Sequence, residues 1–176
     1  SLNEHNLLET VLPHLRDLRD QVKETACFGV LGDEKGIFIE QAQGHHTFRF
    51  VLSPGKPFEL HCSAPGKAIM AYLPNTVRDR YLSYMEFTRY NARTITTPEA
   101  YMEELEKVRR QGYAMDNEEN ELGVRCIAVS LKGLHRKPSY AISVSAPKDR
   151  MDDARMEQFT HLILDTKQRI QNELGN

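Results

Sequence analysis

Two segments late in the chain combine small polar side chains with the alternation of β-strands. Residues 124–131 and 139–145 place bulky side chains at alternate positions, with small ones between them. Because successive side chains of a strand point to opposite faces, each strand would have one bulky and one small face. If the small faces pair, Cys126, Ala128, Ser143 and Ser145 form a shallow recess of hydroxyls and a thiol. Such a recess can bind a small molecule, and the alternative is that a closely packed helix covers it.

A second stretch, Ser63–Lys67, offers a way to hold an anion. It predicts the start of a helix with Ser63 as N-cap. The Gly-x-x-x-x-Gly-Lys-Ser/Thr spacing of a phosphate loop is missing, so a nucleotide is not supported. A helix start with small side chains still presents backbone N–H groups and the positive end of the helix dipole to a carboxylate.

Metal binding and thiol catalysis are not supported by the other candidate residues. The run Asp116–Glu121 has four carboxylates in six residues, but it lacks the ligand spacing and glycine turn of a calcium loop. We interpret it as a solvated acidic loop. His61 and Cys62 are adjacent, and on a strand they would point to opposite faces, so His61 could not activate the thiol. No metal or cofactor is predicted.

The elements that must position these residues follow from periodicity and from helix caps. Apolar residues from Leu7 to Val22 indicate an amphipathic helix, which we expect to break at Pro13. Strands are predicted on either side of the 32–36 turn, at Phe48–Leu52, at 113–115 and in the two late segments joined by Lys132–Pro138. Helices are expected over 63–72, over 75–85, from Thr97 to Gly112, and from an Asp149 cap onward. This order predicts an α+β domain with a mostly antiparallel sheet.

Composition excludes several classes of function. The 176 residues are enough for one domain, and the formal charge of −2 provides no basic excess to neutralise nucleic acid. No window approaches the roughly 18 apolar residues of a membrane span. The three cysteines are an odd number without a CxxC pair, which argues against a disulfide framework. We therefore expect a cytoplasmic protein that binds neither membrane nor nucleic acid through this chain.

Three segments together resemble the C-terminal effector-binding domain of the IclR family of bacterial transcriptional regulators. They are Leu60–Ala68, Gly112–Ala128 and Ala141–Ala146. The resemblance implies a GAF/profilin-like antiparallel sheet flanked by helices, with residues 1–25 as connector and first helices and 26–176 as the effector-binding domain. It also implies an N-terminal winged helix-turn-helix domain, absent from this chain, through which alone operator DNA is bound. Family members associate as dimers and tetramers.

The resemblance also implies a site for a small carboxylate effector such as the 2-oxo acids glyoxylate or pyruvate. The family's contact positions fall on six residues: Ala64, Pro65, Asp116, Cys126, Ser143 and Ser145. The helix start and the serines would hold the carboxylate, and Asp116 would accept a hydrogen bond from the other end of the ligand. Proline has no backbone N–H, so Pro65 cannot donate a hydrogen bond to the effector. The effector could then be held differently from a two-carbon acid, and longer sugar-derived or aromatic acids are alternatives.

Two other functions remain as alternatives to effector binding. Cys126 could serve a redox sensor or an enzyme, in which case its thiol pKa should be clearly depressed. The domain could also be an assembly module whose small face is filled or collapsed. We favour binding over catalysis, so the chain is not expected to be an enzyme.

Overall fold

The computed structural model describes residues 2–133 and 139–175, and these form one antiparallel sheet with helices on both faces. The helices are α1 (Leu2–Val22), α2 (Ala64–Met70), α3 (Asn75–Tyr84), α4 (Pro98–Gln111) and α5 (Asp153–Leu174). The strands are β1 (Thr25–Leu31), β2 (Gly36–Ala42), β3 (Pro57–Phe58), β4 (Ala114–Asn117), β5 (Val124–Leu131) and β6 (Tyr140–Pro147). Their order in the sheet is β3-β2-β1-β6-β5-β4, and every pair is antiparallel. The predicted α+β fold is confirmed.

The hydrophobic core is divided into two layers by the sheet. Helices α1 and α5 pack on one face, with Ile127 and Val144 of the strands among their partners. Helices α2 and α4 lie over the other face, where Cys126, Ala128 and Ala141 belong to the second cluster. Alternation along β5 and β6 thus gives their bulky side chains to one layer and their small side chains to the other.

The prediction that Pro13 breaks the first helix is wrong. Helix α1 continues from Leu2 to Val22 with Pro13 inside it. Its apolar side chains at positions 11, 15 and 18 are fully buried, so packing against the sheet and α5 outweighs the hydrogen bond that proline cannot donate. Pro13 itself faces solvent on the opposite side of the helix.

The prediction of a strand over Phe48–Leu52 is also wrong. This stretch pairs with no strand and is instead anchored to the sheet by side chains. The Gln41 amide donates to the Leu52 carbonyl (2.5 Å) and accepts from the Leu52 N–H (2.9 Å). The Thr25 hydroxyl donates to the Phe50 carbonyl (2.6 Å). We call residues 48–52 the cover segment; these hydrogen bonds hold it against β1 and β2.

Most predicted caps are confirmed, with one correction. The Ser63 and Thr97 hydroxyls accept from the N–H three residues on, and Gly112 ends α4 with a φ of 87°. The final helix is capped by Asp152 instead of Asp149, because a 3₁₀ turn over Lys148–Arg150 comes first. The predicted connection Lys132–Pro138 lies largely outside the described residues.

Candidate functional site

A cavity of about 380 Å³ lies on the α2 side of the sheet, and Phe50 and Leu52 of the cover segment belong to its lining. Of the six residues predicted to contact an effector, five line it: Ala64, Pro65, Asp116, Cys126 and Ser145. Ser143 lies on the same face of β6 but is only 2% exposed and is not part of the lining. The fold therefore brings residues from four separate stretches of sequence to one cavity.

Strand register explains the polar floor of this cavity. Asp116 of β4 stands opposite Cys126 of β5, Cys126 opposite Ser145 of β6, and Ser145 opposite Thr25 of β1. Residues directly opposite on paired strands share a face, so the four side chains form one row across the sheet. This row is open to the cavity.

The neighbouring row on the same face is covered. It runs through Ala114, Ala128, Ser143 and Cys27, again by direct strand pairing. Helix α2 packs on β5 and β6. Gly66 allows the start of this helix to pack on the segment before it, because a Cβ there would lie 2.3 Å from the Glu59 carbonyl. The two interpretations of the small face thus each describe part of it: the first row lines the cavity, and the second, apart from Cys27 at its end, lies under helix α2.

The start of α2 presents fewer donors than a typical helix N-terminus. The Gly66 N–H is taken by the Ser63 hydroxyl (3.0 Å) and the Lys67 N–H by the Ser63 carbonyl (3.1 Å). Pro65 has no N–H. Within the described chain the Ala64 N–H has no hydrogen-bond partner, so it is the one donor this turn can offer to a ligand.

The acidic run is not a solvated loop throughout, because part of it is buried around a lysine. Lys67 is fully buried, and its ammonium group contacts Glu119 (2.9 Å) and Glu104 (3.1 Å). Burial would lower the pKa of Lys67, but the two carboxylates outweigh that effect and raise it. Lys67 and Glu119 therefore form a buried ion pair beneath the cavity.

Asp116 accepts hydrogen bonds from the turn that follows β4. Its carboxylate accepts from the backbone N–H of Glu119 (2.7 Å) and of Asn120 (3.4 Å). Burial, followed by the charge of Glu119, raises the pKa of Asp116 to about 7, although the two N–H donors and Lys67 oppose the shift. Near neutral pH this carboxyl group can donate or accept a hydrogen bond to a ligand.

The cysteines lack the electrostatics of a reactive thiol. Burial raises the pKa of Cys126 to about 12, in spite of hydrogen bonds from Ser145 and Ser143 that favour the thiolate. His61 and Cys62 lie in a turn and not on a strand, and each has another partner. The His61 ring contacts the Thr88 carbonyl (2.8 Å), and the Cys62 thiol donates to Asn120 (3.3 Å). Neither arrangement supports nucleophilic or redox chemistry.

Several lining residues were missed by sequence reasoning. Thr25 lies in the range predicted as connector and first helices, but it begins β1, where it shares the cavity face with Cys27. The cavity is also lined by Phe38 of β2, Phe50 of the cover segment and Phe58 of β3, and by Lys56, which directly precedes β3. A second cavity of about 290 Å³ shares Glu59 and Tyr90 with the first and contains none of the six predicted residues.

In residues 2–133 and 139–175, no three His, Cys, Asp or Glu side chains are arranged to hold a metal ion. No helix among those described is both long and apolar enough to cross a membrane.

Comparison with known proteins identifies the family. Residues 1–172 match the family model described as "Bacterial transcriptional regulator IclR C-terminal". The chain is 37% identical to the HTH-type transcriptional regulator BhcR of Paracoccus denitrificans, covering 93% of this chain and 59% of that protein. It is 34% identical to the transcriptional repressor IclR of Escherichia coli, covering 93% and 60%. The chain thus spans about three fifths of the length of these relatives.

The fold agrees with this match. The crystal structure of Thermotoga maritima IclR superposes with a TM-score of 0.90 at 29% identity, covering 97% of this chain and 69% of that one. The matched proteins are transcriptional regulators and not enzymes. The chain belongs to the IclR family of bacterial transcriptional regulators and is its C-terminal effector-binding domain.

Proposed function

We propose that this domain binds a small carboxylate metabolite, such as a 2-oxo acid of the glyoxylate or pyruvate kind, and thereby controls operator binding. DNA would be bound by a winged helix-turn-helix domain N-terminal to this chain in the full-length protein. The observation that carries the proposal is the row Asp116, Cys126, Ser145 and Thr25 on the floor of a cavity of about 380 Å³. A concave site with a few convergent polar groups is the usual form of a metabolite site.

The chemistry of the row suits a carboxylate with a second polar group. The Ser145 hydroxyl and the Ala64 N–H can donate to the acid. Asp116 can accept from a hydroxyl or a hydrated carbonyl at the other end and, when protonated, can donate. Ser143 is buried in the second row and would not touch the ligand. It would act on ligand binding through its hydrogen bond with the Cys126 thiol.

Regulation would follow from differential affinity for two conformations. A ligand can shift such an equilibrium only by the difference in its binding free energies. Helix α1 ends at Val22, and β1 begins at Thr25, on the cavity floor. A change at the floor therefore has a short path to the helix that would connect to the DNA-binding domain. We further propose that the protein works in the cytoplasm as a homodimer or homotetramer, without a cofactor.

The proposal is tested by thermal shift of the 176-residue protein with 2-oxo, sugar and aromatic acids. A ligand at about 100 times its Kd adds about 2.7 kcal/mol to the free energy of unfolding. We expect Ser145→Ala and Asp116→Ala to fold but to lose most of the shift produced by the stabilising acid. Ser130→Ala is the matched control, because Ser130 lies on the same face of β5 outside the cavity. If a stabilising acid is found and both site variants respond like the control, the site assignment is wrong.

A further inference from the structure

We infer that Lys56 pairs with the carboxylate of the effector and that the effector carries an apolar or aryl body in contact with Phe38, Phe50 and Phe58. This inference rests on the proposed function and narrows its ligand class. Neither Lys56 nor the aromatic residues belong to the six positions taken from the family resemblance.

The cavity lining contains more acidic than basic side chains. Glu59, Asp116 and Glu121 contribute three carboxyl groups, and Lys56 is the one cation among the described residues of the lining. Lys67 lies beneath the site but is committed to Glu119 and Glu104. Without Lys56, an anionic ligand would meet mainly negative charge, which costs binding free energy in a partly desolvated site.

Lys56 is available for this role because its side chain has no partner in the described part of the chain. Its backbone is fixed, since the Phe38 N–H donates to the Lys56 carbonyl (2.9 Å) and the Lys56 N–H donates to Ser53 (3.1 Å). Glu59, the nearest lining carboxylate in sequence, is instead bound by Lys35 (2.7 Å) and by the Tyr90 hydroxyl (2.8 Å). The ammonium group of Lys56 therefore remains free to pair with a ligand.

Lys56 and Cys27 of β1 line the same cavity. Burial raises the pKa of Cys27, and Cys126 adds to the increase, whereas the positive charge of Lys56 opposes it. The positive charge of Lys56 therefore acts on a group that faces the interior of the cavity. A carboxylate paired with Lys56 would thus still lie inside the cavity.

An aromatic wall forms the second part of the site. The rings of Phe38 and Phe58 are 4.8 Å apart and tilted by 49°. The Phe58 ring packs directly on Gly36 and Gly29, where a Cβ would lie 1.9 and 2.7 Å from it. Phe50 of the cover segment adds a third ring to the lining. These rings can bury the apolar part of a ligand, whereas glyoxylate has almost no apolar surface to bury against them.

Cavity size agrees with a larger ligand. A volume of about 380 Å³ lies in the range of roughly 300–1,000 Å³ that is usual for sites that enclose drug-sized molecules. A two- or three-carbon acid would leave water against the three phenylalanines. An acid with an apolar body would displace that water and reach both the polar row and Lys56.

The test is a calorimetric titration of the 176-residue protein with 2-oxo acids of increasing apolar size. The probes are glyoxylate, pyruvate, 4-methyl-2-oxopentanoate and phenylpyruvate, with the methyl ester of phenylpyruvate as the uncharged analogue. We expect Kd to fall at least tenfold from glyoxylate to phenylpyruvate. Lys56→Met should weaken phenylpyruvate about tenfold or more and leave the ester unchanged. Lys107→Met, at an exposed position of α4 outside the cavity, should change neither.

The outcomes separate this inference from the proposed function. If glyoxylate binds as tightly as phenylpyruvate, or if Lys56→Met changes no Kd while acids bind, the inference is wrong and the proposed function stands. An equal loss for the acid and the ester would show that Lys56 acts on the shape of the cavity and not on the carboxylate, which also overturns the inference. If no 2-oxo, sugar or aromatic acid binds, the proposed function fails, and the inference fails with it.

Discussion

Asp116 is placed where the polar floor of the cavity meets the buried acidic turn. Its carboxyl group faces Cys126 across the strand pair and lies among the charges of Glu119 and Lys67 and the thiol of Cys62. It is 4% exposed, so ionisation must take place with little help from water. The residue that would contact a ligand is thus also one whose charge is costly to the folded state.

This cost predicts a pH dependence of stability. The pKa of Asp116 is about 7 in the folded protein against 3.8 for the ordinary group, so the folded state binds more protons between these values. The free energy of unfolding should therefore fall as pH rises from about 4 to 7, and the loss is complete above pH 7. Asp116→Asn keeps an acceptor for the Glu119 N–H but cannot ionise.

We expect the melting temperature of the wild type to fall by several degrees relative to Asp116→Asn between pH 5 and pH 8. Differential scanning calorimetry at closely spaced pH values measures this difference. Asp149→Asn, at an exposed site on the 3₁₀ turn, serves as the control and should follow the wild type. A constant difference between wild type and Asp116→Asn across the range would contradict the raised pKa.

Among the elements, helix α1 is the one whose structure departs most from local preference. Pro13 lies in its interior and is exposed, while the helix buries Val11, Leu15 and Leu18 completely. A proline in a helix interior costs about 3 kcal/mol, part of which is offset because proline also restricts the unfolded chain. Burial of the apolar stripe outweighs this cost.

Pro13→Ala should accordingly stabilise the domain by about 1–2 kcal/mol, since it restores a backbone donor without removing buried contacts. Urea unfolding followed by circular dichroism gives the change in free energy. Arg16→Ala, on the exposed side of the same helix, should change it by no more than about 0.5 kcal/mol. A destabilised Pro13→Ala variant would mean that the proline is needed for the path of the helix.

The junction after α1 is tied to the cover segment as well as to the sheet. Glu24 is 1% exposed and receives two hydrogen bonds from Arg150, at 2.8 and 2.9 Å. Arg150 also donates to the Phe48 carbonyl (2.8 Å), and the His45 N–H donates to the Lys23 carbonyl (3.1 Å). The end of the connector helix, the cavity floor at Thr25 and the cover segment are therefore joined within a few residues.

At the scale of the whole molecule, the sheet separates a structural layer from a binding layer. Neighbouring residues of one strand serve different layers, because Ile127 packs with α1 and α5, whereas Cys126 lines the cavity. Loss of packing in the first layer should reduce stability without changing the shape of the cavity. A larger side chain at Cys126 should change the shape of the cavity and have a smaller effect on stability.

Ile127→Val should therefore lower the free energy of unfolding by about 1 kcal/mol and leave the Kd of a bound acid within about twofold. Cys126→Leu should fill the cavity and raise that Kd at least tenfold, with a smaller effect on stability. Chemical denaturation and calorimetric titration of the same two samples provide both quantities. If Ile127→Val weakened binding as much as Cys126→Leu, the two layers would not be independent.

Local sequence patterns predicted the features that depend on contacts within a short segment, such as helix caps and strand faces. The Ser63 and Thr97 hydroxyls accept from N–H groups three residues away. In the two late strands, the alternation of bulky and small residues shows which side chains share a face. The family motifs located five of the six predicted positions on one cavity lining. Each of these signals lies within one short continuous segment of the chain.

What only the tertiary structure decided is how distant stretches meet. The continuity of α1 through Pro13 depends on burial against α5 and the sheet, and the cover segment is fixed by Gln41 and Thr25 instead of by strand pairing. Lys56 and the three phenylalanines come together because β2, β3 and the cover segment fold around one end of the sheet. Sequence by itself determined the caps, the strand faces and the family. The tertiary structure decided which side chains share the cavity, because those contacts join residues far apart in the chain.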